Sequence, residues 1–434
     1  MAVRTAERTA SQAPAVRTRV PRPVVAPDLR LSDNPAAAVL RAATTGPVFR
    51  DKTARATGLS IATVNRQVSS LLTAGLLRER ADLTASGAVG RPRVPFEVDH
   101  DTFGTLGVHI GAASTRIVVS DLRGRIVVSD LRGRILGGLT IATPQTGQEF
   151  AVKTVAHSAK SFLQRWYRRN PLWVGVAIGG RVDPGTGVVD HPKLGWQTAP
   201  VGAVFSEVLG LPVTVAPHVE AMAASELLLP GVSQEVADDH SRAAHGSSLY
   251  FYVRETAGIS VTLDGRVHTP SNGPGSIAHL PTGSDVECSC GRRGCLEATV
   301  GDRGLHARAV GRGIIPAHNG KASSTIADLY RAAARGSEPA RELLAERATV
   351  LGRTVALVRD MLNPDRVVLG GQAFTTYRPG LAHVARAFNE STVLPPTDIR
   401  VTGYASKVQE FAAVVTSLSA LYADPLAALR RVSA

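Results

Sequence analysis

Between residues 105 and 371 the chain repeatedly runs a short, β-branched stretch into glycine. Leu106-Gly-Val-His-Ile-Gly111, the run 174–178 ending in Gly179-Gly180, and Arg366-Val-Val-Leu-Gly-Gly371 all follow this rule. Helix-length segments at 150–166 and 219–229 separate them, so strands alternate with helices and the fold class is α/β. Glycine after a strand lets backbone approach a phosphate, although each such pair is a weak signal by itself. With 434 residues, 44% hydrophobic and 20% charged, the chain has a globular composition and length for two to three domains. No run of 18 apolar residues occurs and the N-terminus has no apolar leader, so the expectation is a cytoplasmic protein with no membrane partner.

Charge is distributed unevenly. The net charge is +13, of which residues 1–100 carry +7, the pattern of a nucleic-acid-binding end on a near-neutral body. Residues 1–31, rich in Ala, Arg, Pro and Thr, read as a disordered basic arm. From Ser32 three helices are expected: Ser32-Asp-Asn-Pro35 starts the first and Gly46-Pro47 stops it, the second spans 51–57, and Ser60 caps the third, which Gly75 ends. Two helices joined by Thr57-Gly-Leu-Ser60 outline a helix-turn-helix. In the third, Val64, Val68, Leu71 and Leu72 form one buried stripe, turning Ala62, Thr63, Arg66 and Ser69 outward with Asn65 and Gln67 on the flanks. Arg66 can reach guanine edges and Asn65 or Gln67 suits adenine. The strip 87–95, with Arg91 and Arg93 around a proline, fits a minor groove as a wing. Residues 32–98 are therefore expected to be a winged helix-turn-helix that binds a double-stranded DNA operator.

A nine-residue segment, 116–124, recurs without change as 125–133. One added strand in a meander would reverse everything downstream, so the spare copy is expected to be looped out or to form a protruding hairpin arm.

All three cysteines lie within eight residues. His279, Cys288, Cys290 and Cys295 give the spacing H-x8-C-x-C-x4-C, which completes a tetrahedral shell of three thiolates and one imidazole for a structural Zn2+. No coordination position is left for an activated water.

At these residues the chain resembles the ROK family (repressors, open reading frames, kinases), specifically its helix-turn-helix repressors. Cys288-Ser-Cys-Gly-Arg-Arg-Gly-Cys-Leu-Glu297 with His279 upstream resembles the family's zinc signature. Leu362-Asn-Pro-Asp-Arg-Val-Val-Leu-Gly-Gly371 resembles the strand and glycine pair near the nucleotide in its kinases, and residues 174–183 and Leu194-Gly-Trp196 also fit. The resemblance implies a two-lobed, actin-like (ribonuclease H-like) sugar-kinase fold. The first lobe would span 99–225 with a C-terminal helix 408–430 returning to it, and the second 226–407 with the zinc site. It also implies a homodimer or higher homo-oligomer, and a two-fold dimer would read a pseudo-palindrome.

Where the family kinases place a phosphate-loop Asp, this chain has His109. Their Asn-Asp pair, which holds the sugar and deprotonates its hydroxyl, is Pro217-His218, and their sugar-binding Glu is Ser276. His279 and Glu297, two further sugar contacts in the family, remain. A histidine can serve as a base, so His218 alone does not exclude phosphoryl transfer, but losing the phosphate-loop carboxylate, the Asn clamp and the sugar Glu together argues against it. The leading reading is a DNA-binding regulator, not an enzyme, with a small sugar-derived effector at His218, Ser276, His279 and Glu297. Such a pocket would favour an anionic sugar derivative below about pH 6.5, where His218 protonates; an empty vestigial pocket is the other outcome. The alternatives are a sugar kinase fused to a DNA-binding domain, and a ligand-independent regulator controlled by protein contacts.

Overall fold

The computed structural model describes residues 23–84, 93–123, 137–166, 169–229, 246–270, 273, 275–319 and 322–433. It opens with three helices, α1 (Pro35–Ala42), α2 (Arg50–Thr57) and α3 (Ile61–Thr73). Asn34 caps α1 through Ala36 and Ala37 N–H, and Ser60 caps α3 through Thr63 N–H. Strands β1 (Leu77–Glu79) and β2 (Phe96–Val98) pair antiparallel, and Val48 bridges to Phe96. This small sheet closes the head as a winged helix-turn-helix.

Two five-stranded sheets follow. The first contains β3 (Phe103–Ile110), β4 (Ser114–Ser120), β5 (Gly138–Ala142), β6 (Asn170–Ile178) and, beyond helix α4 (Gln148–Leu163), the small sheet β7 (Arg181–Val182), β8 (Val189–His191) and β9 (Trp196–Ala199), and helix α5 (Val201–Leu209), the fifth strand β10 (Val213–Pro217). Helix α6 (His218–Leu228) leads to the second sheet: β11 (Ser247–Val253), β12 (Ala257–Leu263), β13 (Arg266–Val267), β14 (Arg366–Gly370) and β15 (Asp398–Val401). Their spatial orders are β10-β6-β3-β4-β5 and β13-β12-β11-β14-β15. In each, the first three strands form an antiparallel meander and the last two join parallel beside the first. Two sheets of identical topology, each with crossover helices, are the twin lobes of the actin-like fold.

Helix α7 (Glu338–Leu362) and α8 (Gly380–Ser391) cover the second sheet, and α9 (Val408–Ala423) covers the first. A Cβ on Gly175 of β6 would lie 2.1 Å from Ser417 N, so only glycine admits α9 this close. The expected single helix 408–430 is two helices instead. Pro425 has no N–H to continue the ladder, so the chain turns by 105° into α10 (Pro425–Ser433). Among the described residues no single helix is long and apolar enough to cross a membrane.

A second correction concerns the arm. Its residues 23–31 are an ordered extended strap, with Val24 bridged to Val213 of β10, Arg30 bridged to Arg266 of β13, and Leu29 buried. Composition hid this because the strap has no periodicity of its own and borrows backbone partners from two sheet edges. The first copy of the repeat forms most of β4. The second lies outside the described residues, but β5 pairs directly with β4 from Ser114↔Ala142 to Val118↔Gly138.

Candidate nucleic-acid interface, metal centre and interlobe cleft

On α3 the buried side chains are Val64, Val68 and Leu71, while Asn65 and Arg66 are exposed and Thr63 and Gln67 half-buried. The Thr63 hydroxyl lies 2.9 Å from Ser60 Oγ, so it serves the cap. Gly58, in the left-handed conformation, turns α2 into α3. Arg93 is exposed and its guanidinium stands 3.5 Å from Asp51 at the start of α2; Arg91 lies outside the described residues. Of the residues expected to read DNA on α3, Asn65 and Arg66 are the exposed ones.

The head is fixed to the first lobe by a carboxylate. Glu97 of β2 is buried and meets Arg78 at 2.7 Å, Arg80 at 3.0 Å and Arg123, just after β4, at 2.6 Å. Burial works against its charge, yet three guanidiniums hold the carboxyl below its ordinary value. Leu122 joins the same apolar cluster as Val64, Val68, Leu71 and Phe96. Head and lobe therefore share one core.

His279, Cys288, Cys290 and Cys295 converge so that their ligand atoms all lie within 4.8 Å of one another. Cys288 Sγ is 3.7 Å from His279 Nδ1, and Cys290 Sγ 3.7 Å from Cys295 Sγ. Metal–sulfur bonds of about 2.3 Å in a tetrahedron give edges of about 3.7 Å, so the cage fits Zn2+. The loop closes through Cys288 N–H to Arg292 O and Gly294 N–H to Val286 O. Gly294, at φ +73, packs where a Cβ would come within 2.5 Å of Ser284 O.

The four effector residues are not gathered into one pocket. His218 starts α6 inside the interlobe cleft, its Nδ1 3.3 Å from His109 Nε2 and its ring stacked on His109 at 5.6 Å. Glu297 is engaged elsewhere, with Lys193 Nζ at 2.6 Å and the Ala257 N–H at 3.0 Å. Ser276 is exposed and accepts the Ala278 N–H, and His279 belongs to the cysteine cage.

The cleft is lined instead by His109, His191, His218, Tyr252, Arg254 and Gln409, with the turn 111–114. Gln409 donates to Tyr252 Oη and accepts from Arg254 Nη1, linking α9 to the second lobe. The free space among these residues is about 20 Å3, room for a water molecule. Burial pushes His218 down to about 3 and His191 to about 4, and holds His109 well below its ordinary value. The expected protonation of His218 near pH 6.5 is therefore corrected: desolvation, reinforced by His191 and Lys193, keeps its imidazole neutral. His109 was legible as a departure from the kinase pattern; Arg254, Tyr252 and Gln409 carry no local signal.

The ROK family model matches residues 105–415. Over 417 residues the chain is 52% identical to the Mycobacterium tuberculosis (strain H37Rv) protein named "Transcriptional regulator Rv0485", covering 95% of this chain and 91% of that one. It is 24% identical over 338 residues to the Escherichia coli K12 "DNA-binding transcriptional dual regulator NagC", covering 75% and 77%. A solved ROK family transcriptional regulator, a homolog of the E. coli MLC protein, has the same fold at a TM-score of 0.70 and 21% identity, covering 92% of this chain and 98% of that one. A ROK family glucokinase from Streptomyces griseus, solved with glucose and AMPPNP, matches at 0.60 and 20%, covering 72% and 99%.

Proposed function

Because the chain belongs to the ROK family, we propose that it is a cytoplasmic, DNA-binding transcriptional repressor whose kinase-derived body serves as oligomerisation platform and sensor. The observation that carries this reading is the outward face of α3, with Asn65 and Arg66 exposed on a capped helix, and with Arg93 exposed near the start of α2. A helix of this kind enters the major groove while its wing follows the backbone or the minor groove. Phosphate contacts then supply affinity and Arg66 supplies base discrimination.

The same proposal makes the body non-catalytic. Phosphoryl transfer needs a base at the nucleophile, and here burial lowers His218 to about 3, which leaves its imidazole a poor acceptor for a hydroxyl proton. The cysteine cage would hold one structural Zn2+, whose contribution is to tie the loop 279–295 together. The DNA partner is a pseudo-palindromic operator read by a homodimer or higher homo-oligomer. A small sugar-derived effector would be sensed by this body.

The test is a comparison of the full chain with residues 99–434 in selection from random duplex DNA. The full chain should enrich a two-fold site and the truncated chain should enrich none; specific binding by the truncated chain overturns the assignment. Glucose-dependent consumption of ATP by the full chain would instead favour a kinase fused to a DNA-binding domain.

A further inference from the structure

The strap ahead of the head touches both lobes in succession. Pro23 O accepts from Val213 N–H and Val25 N–H donates to Val213 O at 2.8 Å, adding the strap to the outer edge of the first sheet. Val24 lies against Gly187 and Gly202, where a Cβ would crowd it at 3.1 and 2.9 Å. Leu29 O then accepts from Val267 N–H at 2.9 Å and Leu31 N–H donates to Gly265 O at 2.8 Å, on the edge of the second sheet. Ser32 Oγ donates to Ala423 O, and Asn34 caps α1.

Strap residues 23–26 and Asp28 form one wall of an open groove of about 660 Å3 whose other wall is Ala420, Ala423 and Ala427. Its backbone bonds to the two sheets fall at residues 23–25 and 29–31. Pro23 and Pro27 favour extended backbone. From Val25 to Leu29 is four residues, which reach at most about 14 Å, and from Leu31 to Asn34 three, about 10 Å. A movement of β13 away from β10 therefore either breaks an anchor or pulls on the start of α1.

We propose that residues 23–34 are a tether that couples the separation of the two lobes to the seating of the DNA-binding head. This rests on the DNA-binding reading above. A change at the cleft, where Arg254 and Tyr252 of the second lobe meet Gln409 of α9, is transmitted along the strap to α1. The head's contact with the first lobe through Glu97 supplies the fixed point against which the tether acts.

A double-mutant cycle on the full chain tests this, with operator DNA selected by the wild-type protein. Arg254→Ala loosens the cleft link, and Leu29→Ala, or Val24→Ala should Leu29→Ala not fold, releases one strap anchor. Deletion of residues 1–22 keeps the strap and controls for the basic arm. With the strap intact, Arg254→Ala should change operator affinity by more than about threefold, and with the strap released the change should vanish. An equal effect in both backgrounds, or none in either, overturns the tether.

Amide hydrogen exchange separates failure of the tether from failure of the DNA-binding reading. Release of the anchor should raise exchange at Val213, Val267 and the first turns of α1 together, whether or not DNA binds. Increased exchange confined to the strap overturns the proposal, and absence of any selected operator overturns the DNA-binding reading alone.

Discussion

Arg66 and Arg93 should fail differently when removed. An arginine on a base edge contributes discrimination at one position, whereas one on the wing contributes charge that every sequence shares. Arg66→Ala should cost about 1–3 kcal/mol on the cognate operator and relax preference at a single base pair. Arg93→Ala should weaken cognate and mutant operators alike; competition binding against single-base variants checks both, and a uniform loss for Arg66→Ala would remove it from the readout. Within the cleft, an unfolded histidine takes up a proton near pH 6.5 while folded His218 stays neutral to about 3. Its contribution is fully present above pH 6.5 and drains as pH falls, by up to about 1.4 kcal/mol per pH unit. Glu220 and Glu226, raised to about 7 by burial, have the opposite sign, since the folded chain keeps protons there that the unfolded chain releases above about pH 4.5. The wild-type curve mixes these effects, and comparison with His218→Asn isolates one. Denaturant unfolding between pH 6.5 and 4.5 should show the stability of wild type relative to His218→Asn falling towards acid; a pH-independent difference would place the titration elsewhere.

Strand β2 and the cysteine loop are elements in which polar groups join segments distant in sequence. Glu97→Ala would take the carboxylate from buried Arg123 and leave Arg78 and Arg80 with Asp101 and Asp82 alone, loosening the junction of head and lobe. The expected outcome is a lower melting temperature with faster proteolysis near residues 99–102, where head joins lobe. Cys290→Ser should lower zinc below one per chain by metal analysis and destabilise the second lobe, because an incomplete shell leaves its ligands unpaired; wild-type protein purified without chelator and lacking zinc would refute the cage. Both the helix-turn-helix and the cage were legible in the sequence because their determinants are local. Ser60 and Gly75 bound α3, Val64 and Val68 set its face, and four ligands within seventeen residues define a shell. The cleft was not, since His109, His191, the pair Tyr252 and Arg254, and Gln409 come from four separate segments that the fold brings together. Read by composition, the strap looked like a continuation of the arm, and no periodicity could reveal edges supplied by other strands.

At the scale of the whole molecule, the alternation of strands and helices led to the α/β class, and the shared order of the two sheets gives that class its twin-lobed form. A two-fold dimer of such bodies would present two heads at a fixed separation, so operator half-sites should fall about one helical turn or a multiple of it apart. Sedimentation should find at least a dimer at operator-saturating concentrations, and inserting five base pairs between half-sites should abolish tight binding; a monomer on one half-site would contradict this. The pairing of β4 with β5 has a practical corollary. About 17 residues join these strands, from Ser120 to Gly138, and the sheet register passes them by. Removing residues 125–133 should therefore leave operator affinity unchanged and stabilise the fold by no more than about 0.7 kcal/mol through shorter loop closure. By the same token the register of the first sheet does not depend on what joins these two strands, so an affinity handle spliced between residues 125 and 133 should leave that hydrogen-bond ladder intact.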